Sequence, residues 1–143
     1  MTITATKATL PDKPSALLTL AMKDLKKIEK STHYEVFMEE WHEPSRGGRF
    51  CSVCLAGSVI ANTLKSTKDK GLIPADYDMD TENKLNALDE FRQGRVTRAL
   101  KCMDIAIPKQ LKEIYKVASY SDGCAKFKSD MNKIIARLKK AGI

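Results

Sequence analysis

The stretch from Cys51 to Leu64 constrains the fold more than any other part of the chain. It carries Val53, Leu55, Ala56, Val59, Ile60 and Ala61 with no charged residue among them. A helix that is apolar on all sides has no face to offer water, so the segment is expected as a helix in the middle of the domain. Everything else then has to be laid around it.

The flanking patterns supply the surrounding layer. Asp12-Lys13-Pro14-Ser15 reads as a helix start, because a proline in the first turn gives up an N–H that would be unpaired there anyway. Leu17, Ala21, Leu25 and Ile28 follow at spacings of four, four and three, one face of a helix ending near Ser31-Thr32. Asp80 or Thr81 can cap a helix carrying Leu85, Leu88 and Phe91, which Gly94 stops. Val96 to Met103 forms another short helix. Pro108 opens one with Leu111, Ile114, Tyr115 and Ala118, and the last helix carries Phe127, Met131, Ile134, Ile135 and Leu138. Tyr34 to Met38 alternates and reads as extended, although a helical turn also fits it. Asn62 to Asp78 reads as a polar connection, broken by Lys70-Gly71 and Ile73-Pro74. The expected fold is therefore all-α or nearly so: five to six helices around a central buried helix, with room for a short extended segment near 34–38. Residues 1–12 are expected as a flexible leader and 13–143 as a single helical domain.

Composition narrows the class. With 43% hydrophobic and 30% charged residues, the 143-residue chain resembles an ordinary globular domain. No apolar run approaches the ~20 residues that cross a bilayer. The first residues lack the basic start and apolar centre of an export signal. A cytoplasmic setting is expected, with no membrane partner. Cys51, Cys54, Cys102 and Cys124 are accordingly expected as reduced thiols. The net charge of +7 is unevenly spread. Residues 1–95 hold 14 basic and 14 acidic side chains, whereas residues 96–143 hold 11 and 4. All of the excess lies in the last third, which favours acidic or polyanionic partners, though it also serves solubility.

Three segments carry candidate chemistry. In Ser45-Arg46-Gly47-Gly48-Arg49, two glycines let successive N–H groups converge and two arginines add forked donors suited to phosphate. Trp41 and His42 stand just before the loop, where they can stack on or hydrogen-bond a base. Arg92 and Arg95 are further candidate contributors. The opposing reading is a solvated turn, with Trp41 packed in the core. The loop lacks the spacing and the terminal Lys-Ser/Thr of a P-loop. Second, Cys51-Ser52-Val53-Cys54 admits three roles: buried core thiols, zinc ligands together with His33 and His42, or a redox pair. The core role is preferred, because the pair runs straight into Leu55-Ala56-Gly57 and the histidines precede it. Third, Lys126, Lys133, Arg137 and Lys140 make a basic stripe on the last helix, and Arg92, Arg95 and Arg98 make another if the helices around Gly94 are continuous. Catalytic patterns are lacking: there is no Ser–His–acid set, and Asp76, Asp78 and Asp80 lack the following Gly and closing Glu of a calcium loop. No catalytic residue, metal or cofactor is therefore expected.

Trp41-His42, the run Cys51-Ser-Val-Cys-Leu-Ala-Gly-Ser-Val-Ile-Ala61 and the segment Ala87-Leu88-Asp89-Glu90-Phe91-Arg92-Gln93-Gly94 resemble small accessory proteins of tailed bacteriophages and prophages. The resemblance covers about the middle half of the chain and carries no catalytic residues. It implies a phage protein acting in the cytoplasm of an infected bacterium, in the manner of counter-defence proteins. The expected function is non-enzymatic capture of a nucleotide or other phosphate-bearing ligand at Trp41, His42, Ser45, Arg46, Gly47, Gly48 and Arg49, with Arg92 or Arg95. The alternative is a protein–protein inhibitor of a host defence protein, or a nucleic-acid binder, working through the basic C-terminal third.

Overall fold

The computed structural model describes residues 10–44, 51–64, 78–111 and 115–143. Among them the chain forms, in order, α1 (Pro14–Glu29), β1 (Tyr34–Val36), β2 (His42–Pro44), β3 (Cys51–Val53), α2 (Leu55–Asn62), α3 (Met79–Arg92), α4 (Val96–Cys102) and α5 (Cys124–Lys140). The protein is predominantly helical, with one small sheet.

Pro14 opens α1 as its chemistry requires, and Leu17, Leu18, Ala21, Leu25 and Ile28 line the buried face. Lys26 and Lys27 fall in the last turn, where the helix dipole favours cations. Leu10 and Asp12, within the segment read as a leader, are held. Leu10 is buried, and the Lys84 ammonium donates to its carbonyl at 3.0 Å and to the Asp12 carboxylate at 2.8 Å.

The apolar run does not form one helix from Cys51. Its first three residues are β3, the central strand in the order β1-β3-β2, parallel to β1 and antiparallel to β2. Cys51 N–H donates to the His33 carbonyl and Phe37 N–H donates to the Val53 carbonyl. These long-range bonds satisfy the backbone of β3, and an apolar run reads equally well as buried strand or buried helix. The helix begins only at Leu55. From there the expectation of an all-round apolar element holds: Leu55, Ala56, Gly57, Ser58, Val59 and Ile60 are all buried. α2 packs between α1 and α3, with β2 and β3 at its start, and α1 also meets α5 and β1. A second, smaller apolar cluster of Ile28, Cys51 and Val53 joins the sheet to α1.

Asp78, not Asp80 or Thr81, caps α3, accepting the Thr81 N–H at 2.9 Å. Gly94 ends that helix as expected. At φ 78° it lets the Gly94 N–H reach the Phe91 carbonyl and the Arg95 N–H reach the Glu90 carbonyl, the paired bonds of a Schellman turn. The helix expected from Pro108 is absent from the described residues. Residues 109–111 form a turn and residues 115–119 have no regular structure. Two donors of the second stretch are taken by tertiary partners: Tyr115 N–H by the Gly94 carbonyl at 2.6 Å, and Ala118 N–H by the Asp130 carboxylate at 2.9 Å. Ile114 of that expected helix, and most of the connection between α2 and α3 (65–77), lie outside the described residues.

Candidate functional site

The expected phosphate site divides between described and undescribed residues. Ser45, Arg46, Gly47, Gly48 and Arg49 lie outside the described residues. Their place in the chain is between β2 and β3, since Pro44 pairs with Cys51 and His42 with Val53. The sequence reading put this loop directly at the start of the buried helix. Three residues of strand intervene instead, roughly 10 Å at the usual rise. The first turn of α2 also has a cap of its own: the Cys54 sulfur accepts the Gly57 N–H at 3.5 Å. Burial pushes the Cys54 thiol above its ordinary pKa, against the helix N–H groups that favour the thiolate.

Trp41 is half-buried and packs against the main core. Its carbonyl meets α2 at Gly57, where a Cβ would stand 1.4 Å from the carbonyl oxygen. Only a glycine permits that approach. Trp41 thus has a packing role. His42 is placed by its backbone in β2, opposite Val53.

Arg92 and Arg95 each have an acidic partner. Arg92 donates through Nε and Nη2 to Asp89 Oδ1, at 3.2 and 2.6 Å. Arg95 lies 3.5 Å from a Glu90 carboxylate oxygen. The Schellman turn at Gly94 separates α3 from α4, so Arg92, Arg95 and Arg98 do not form the continuous stripe considered from the sequence. Arg92 does line a hollow of about 280 Å³ with Met38, Gln93, Ser119 and Tyr120.

All four cysteines are thiols, Cys51 and Cys54 buried. Cys51 lies on β3 and Cys54 at the cap of α2, not one turn apart on a helix. Among the described residues no three His, Cys, Asp or Glu side chains gather as a metal set. Of the alternating acids, Asp78 caps α3 and Asp80 pairs with Lys84 at 2.9 Å, while Asp76 lies outside the described residues.

The basic stripe of α5 borders concave surface. Its residues Lys126, Asp130, Lys133, Ile134 and Arg137 face the irregular segment at Tyr115 and Lys116 across a hollow of about 270 Å³. Arg137 also lines a second hollow, of about 420 Å³, with Gln110, Leu111, Lys140 and Ala141. The guanidinium of Arg137 lies over the Tyr115 ring, 4.9 Å from its centroid, and donates to the Tyr115 hydroxyl at 3.2 Å. Asp130 accepts from Lys126 at 2.6 Å and from the Ala118 N–H, and these two donors hold its carboxyl below the usual range. The sequence pointed to the stripe on α5 but missed Tyr115 and Lys116. The apolar spacing from Pro108 places both on a helix, and no local signal shows that this segment runs irregularly beside α5.

Comparison with known families, characterised proteins and solved structures finds no match to this chain.

Proposed function

We propose that this chain is a non-enzymatic binding protein for anionic ligands and that the surface beside α5 is its binding face. The observation that carries the reading is the pair of hollows sharing Arg137, bordered by Lys116, Lys126, Lys133, Arg137 and Lys140. Among the described residues their one acidic lining residue, Asp130, is already engaged by Lys126 and a backbone N–H. Concave surface with one sign of charge concentrates field and attracts oppositely charged ligands. Retention on heparin, a model polyanion, tests it. The wild-type protein is expected to elute at markedly higher salt than Lys133→Glu/Arg137→Glu. The equally charged Lys13→Glu/Lys30→Glu control is expected to stay close to wild type. Equal losses for the two pairs, or no retention at all, refute a localised face.

A second reading keeps the phosphate-bearing small ligand at Trp41–Arg49. The hollow beside Arg92 and Met38, three residues before Trp41, supports it. Calorimetric titration with cyclic and linear nucleotides is expected to give heat that Arg46→Ala, Arg49→Ala or Arg92→Ala reduces, and silence across the panel refutes it. Under either reading, the resemblance to phage accessory proteins supports action in an infected bacterial cytoplasm, against a host defence.

A further inference from the structure

We infer that the groove beside α5 seats the backbone of a single-stranded nucleic acid, over about four phosphates and without reading bases. The inference rests on the anion-binding reading above and names the ligand class. Four observations carry it.

The first is length. From Lys126 to Ala141 the helix and its C-terminal turn advance about 22 Å at the α-helical rise, which accommodates about four nucleotides, the lower end of single-strand sites. The second is available charge. Lys126 is committed to Asp130, and Lys133 acts on the same carboxylate at longer range, but no ion pair within 4 Å ties up Lys116, Lys133 or Lys140 among the described residues. With Arg137, four cations remain for phosphates.

The third observation weighs against a protein as the preferred occupant. Protein interfaces depend on a few buried apolar or aromatic anchors. Ile134 and Leu111, the large aliphatic side chains among the described lining residues, are 2% and 7% exposed and are themselves committed to the core. Among the described residues, the exposed large hydrophobic side chains Phe37, Met79 and Ile107 line neither hollow. The fourth concerns specificity. Non-specific single-strand binders usually stack bases on exposed aromatic rings. Tyr115, the aromatic residue among the described lining residues, has one face covered by the Arg137 guanidinium. That stack pre-orients Arg137, whose planar fork suits phosphate oxygens, and takes the ring face away from a base. Neither hollow has the volume to admit a duplex, and a convex duplex touches only the rims.

The test is fluorescence anisotropy with labelled 12-mers: oligo-dT, oligo-dA, a mixed RNA, and a duplex. Four phosphate contacts give a slope of log affinity against log salt near −3, about a fifty-fold weakening between 50 and 200 mM. The single strands are expected to agree within about threefold and the duplex to bind more weakly. Lys133→Ala and Lys140→Ala, exposed substitutions outside the core, are each expected to make the slope shallower by about 0.7. Lys30→Ala is expected to leave it unchanged. Three outcomes overturn the inference: no anisotropy change with any single strand at 50 mM salt, duplex preferred over single strand, or polyglutamate of equal charge competing as well as oligo-dT. Each of these is compatible with continued heparin retention, so the failure of this inference is distinguishable from failure of the anion-binding reading.

Discussion

Replacing Gly57 by alanine tests whether α2 is locked to the strand segment. In an unconstrained helix the exchange is favourable by roughly 0.5–1 kcal/mol, because alanine loses less backbone freedom on folding. Here the new methyl group would stand 1.4 Å from the Trp41 carbonyl oxygen and 2.9 Å from the Val53 Cβ. An ordinary contact distance of about 3.5 Å requires the carbonyl to retreat by about 2 Å. The clashing atom is backbone, so no rotamer change relieves it. Overpacking of this kind costs about 1–3 kcal/mol, and a backbone shift of that size belongs at the upper end. The net expectation is a loss of about 2 kcal/mol. In urea, where small proteins have slopes of about 1–3 kcal/mol/M, the midpoint falls by about 1 M at unchanged slope. Trp41 is the sole tryptophan, so its emission reads the contact directly and is expected to shift to longer wavelength in the native variant. A variant as stable as wild type, with unchanged emission, refutes the close approach and with it the packing role assigned to Trp41.

Gly94→Ala is expected to cost at least about 2 kcal/mol in the same denaturation assay. It combines a left-handed φ of 78° with a Cβ 1.5 Å from the Tyr115 carbonyl oxygen, and it should also disturb the groove segment that Tyr115 begins. Asp24 is 1% exposed, and burial raises its carboxyl above the ordinary value despite the Thr63 hydroxyl donating at 2.6 Å and the nearby Lys27 and Lys23. A carboxyl with a raised native pKa contributes stability that is full below about pH 4 and is lost as pH rises through its native value. Asp24→Asn, which still offers an acceptor to Thr63, is therefore expected to flatten the pH dependence of the thermal midpoint on the acid side. An unchanged profile contradicts the assignment. Lys84→Met removes the donor to Leu10, Asp12 and Asp80 and is expected to cost about 1–3 kcal/mol, with faster amide exchange at Leu10, Asp12 and Lys13.

The amphipathic helices were written in the sequence. The stripe of Leu17, Ala21, Leu25 and Ile28 and that of Phe127, Met131, Ile134, Ile135 and Leu138 have the helical period, and each buries the face its spacing predicts. The stop at Gly94 was equally local, because a left-handed residue after a helix is nearly always glycine. The basic stripe of α5 followed from the same periodicity. Tertiary structure alone decided the rest. Cys51-Ser52-Val53 became strand because Tyr34–Val36 and His42–Pro44 came alongside to take its hydrogen bonds, and a three-residue apolar window has no period of its own to foretell that. Residues 115–119 left the helical state as Gly94 and Asp130, distant in the chain, claimed the Tyr115 and Ala118 N–H groups. The binding face depends on that second choice. Residue spacing along one helix lays out a row of charges, but a concave surface needs a second wall, and the wall here is fixed by hydrogen bonds between residues far apart in sequence.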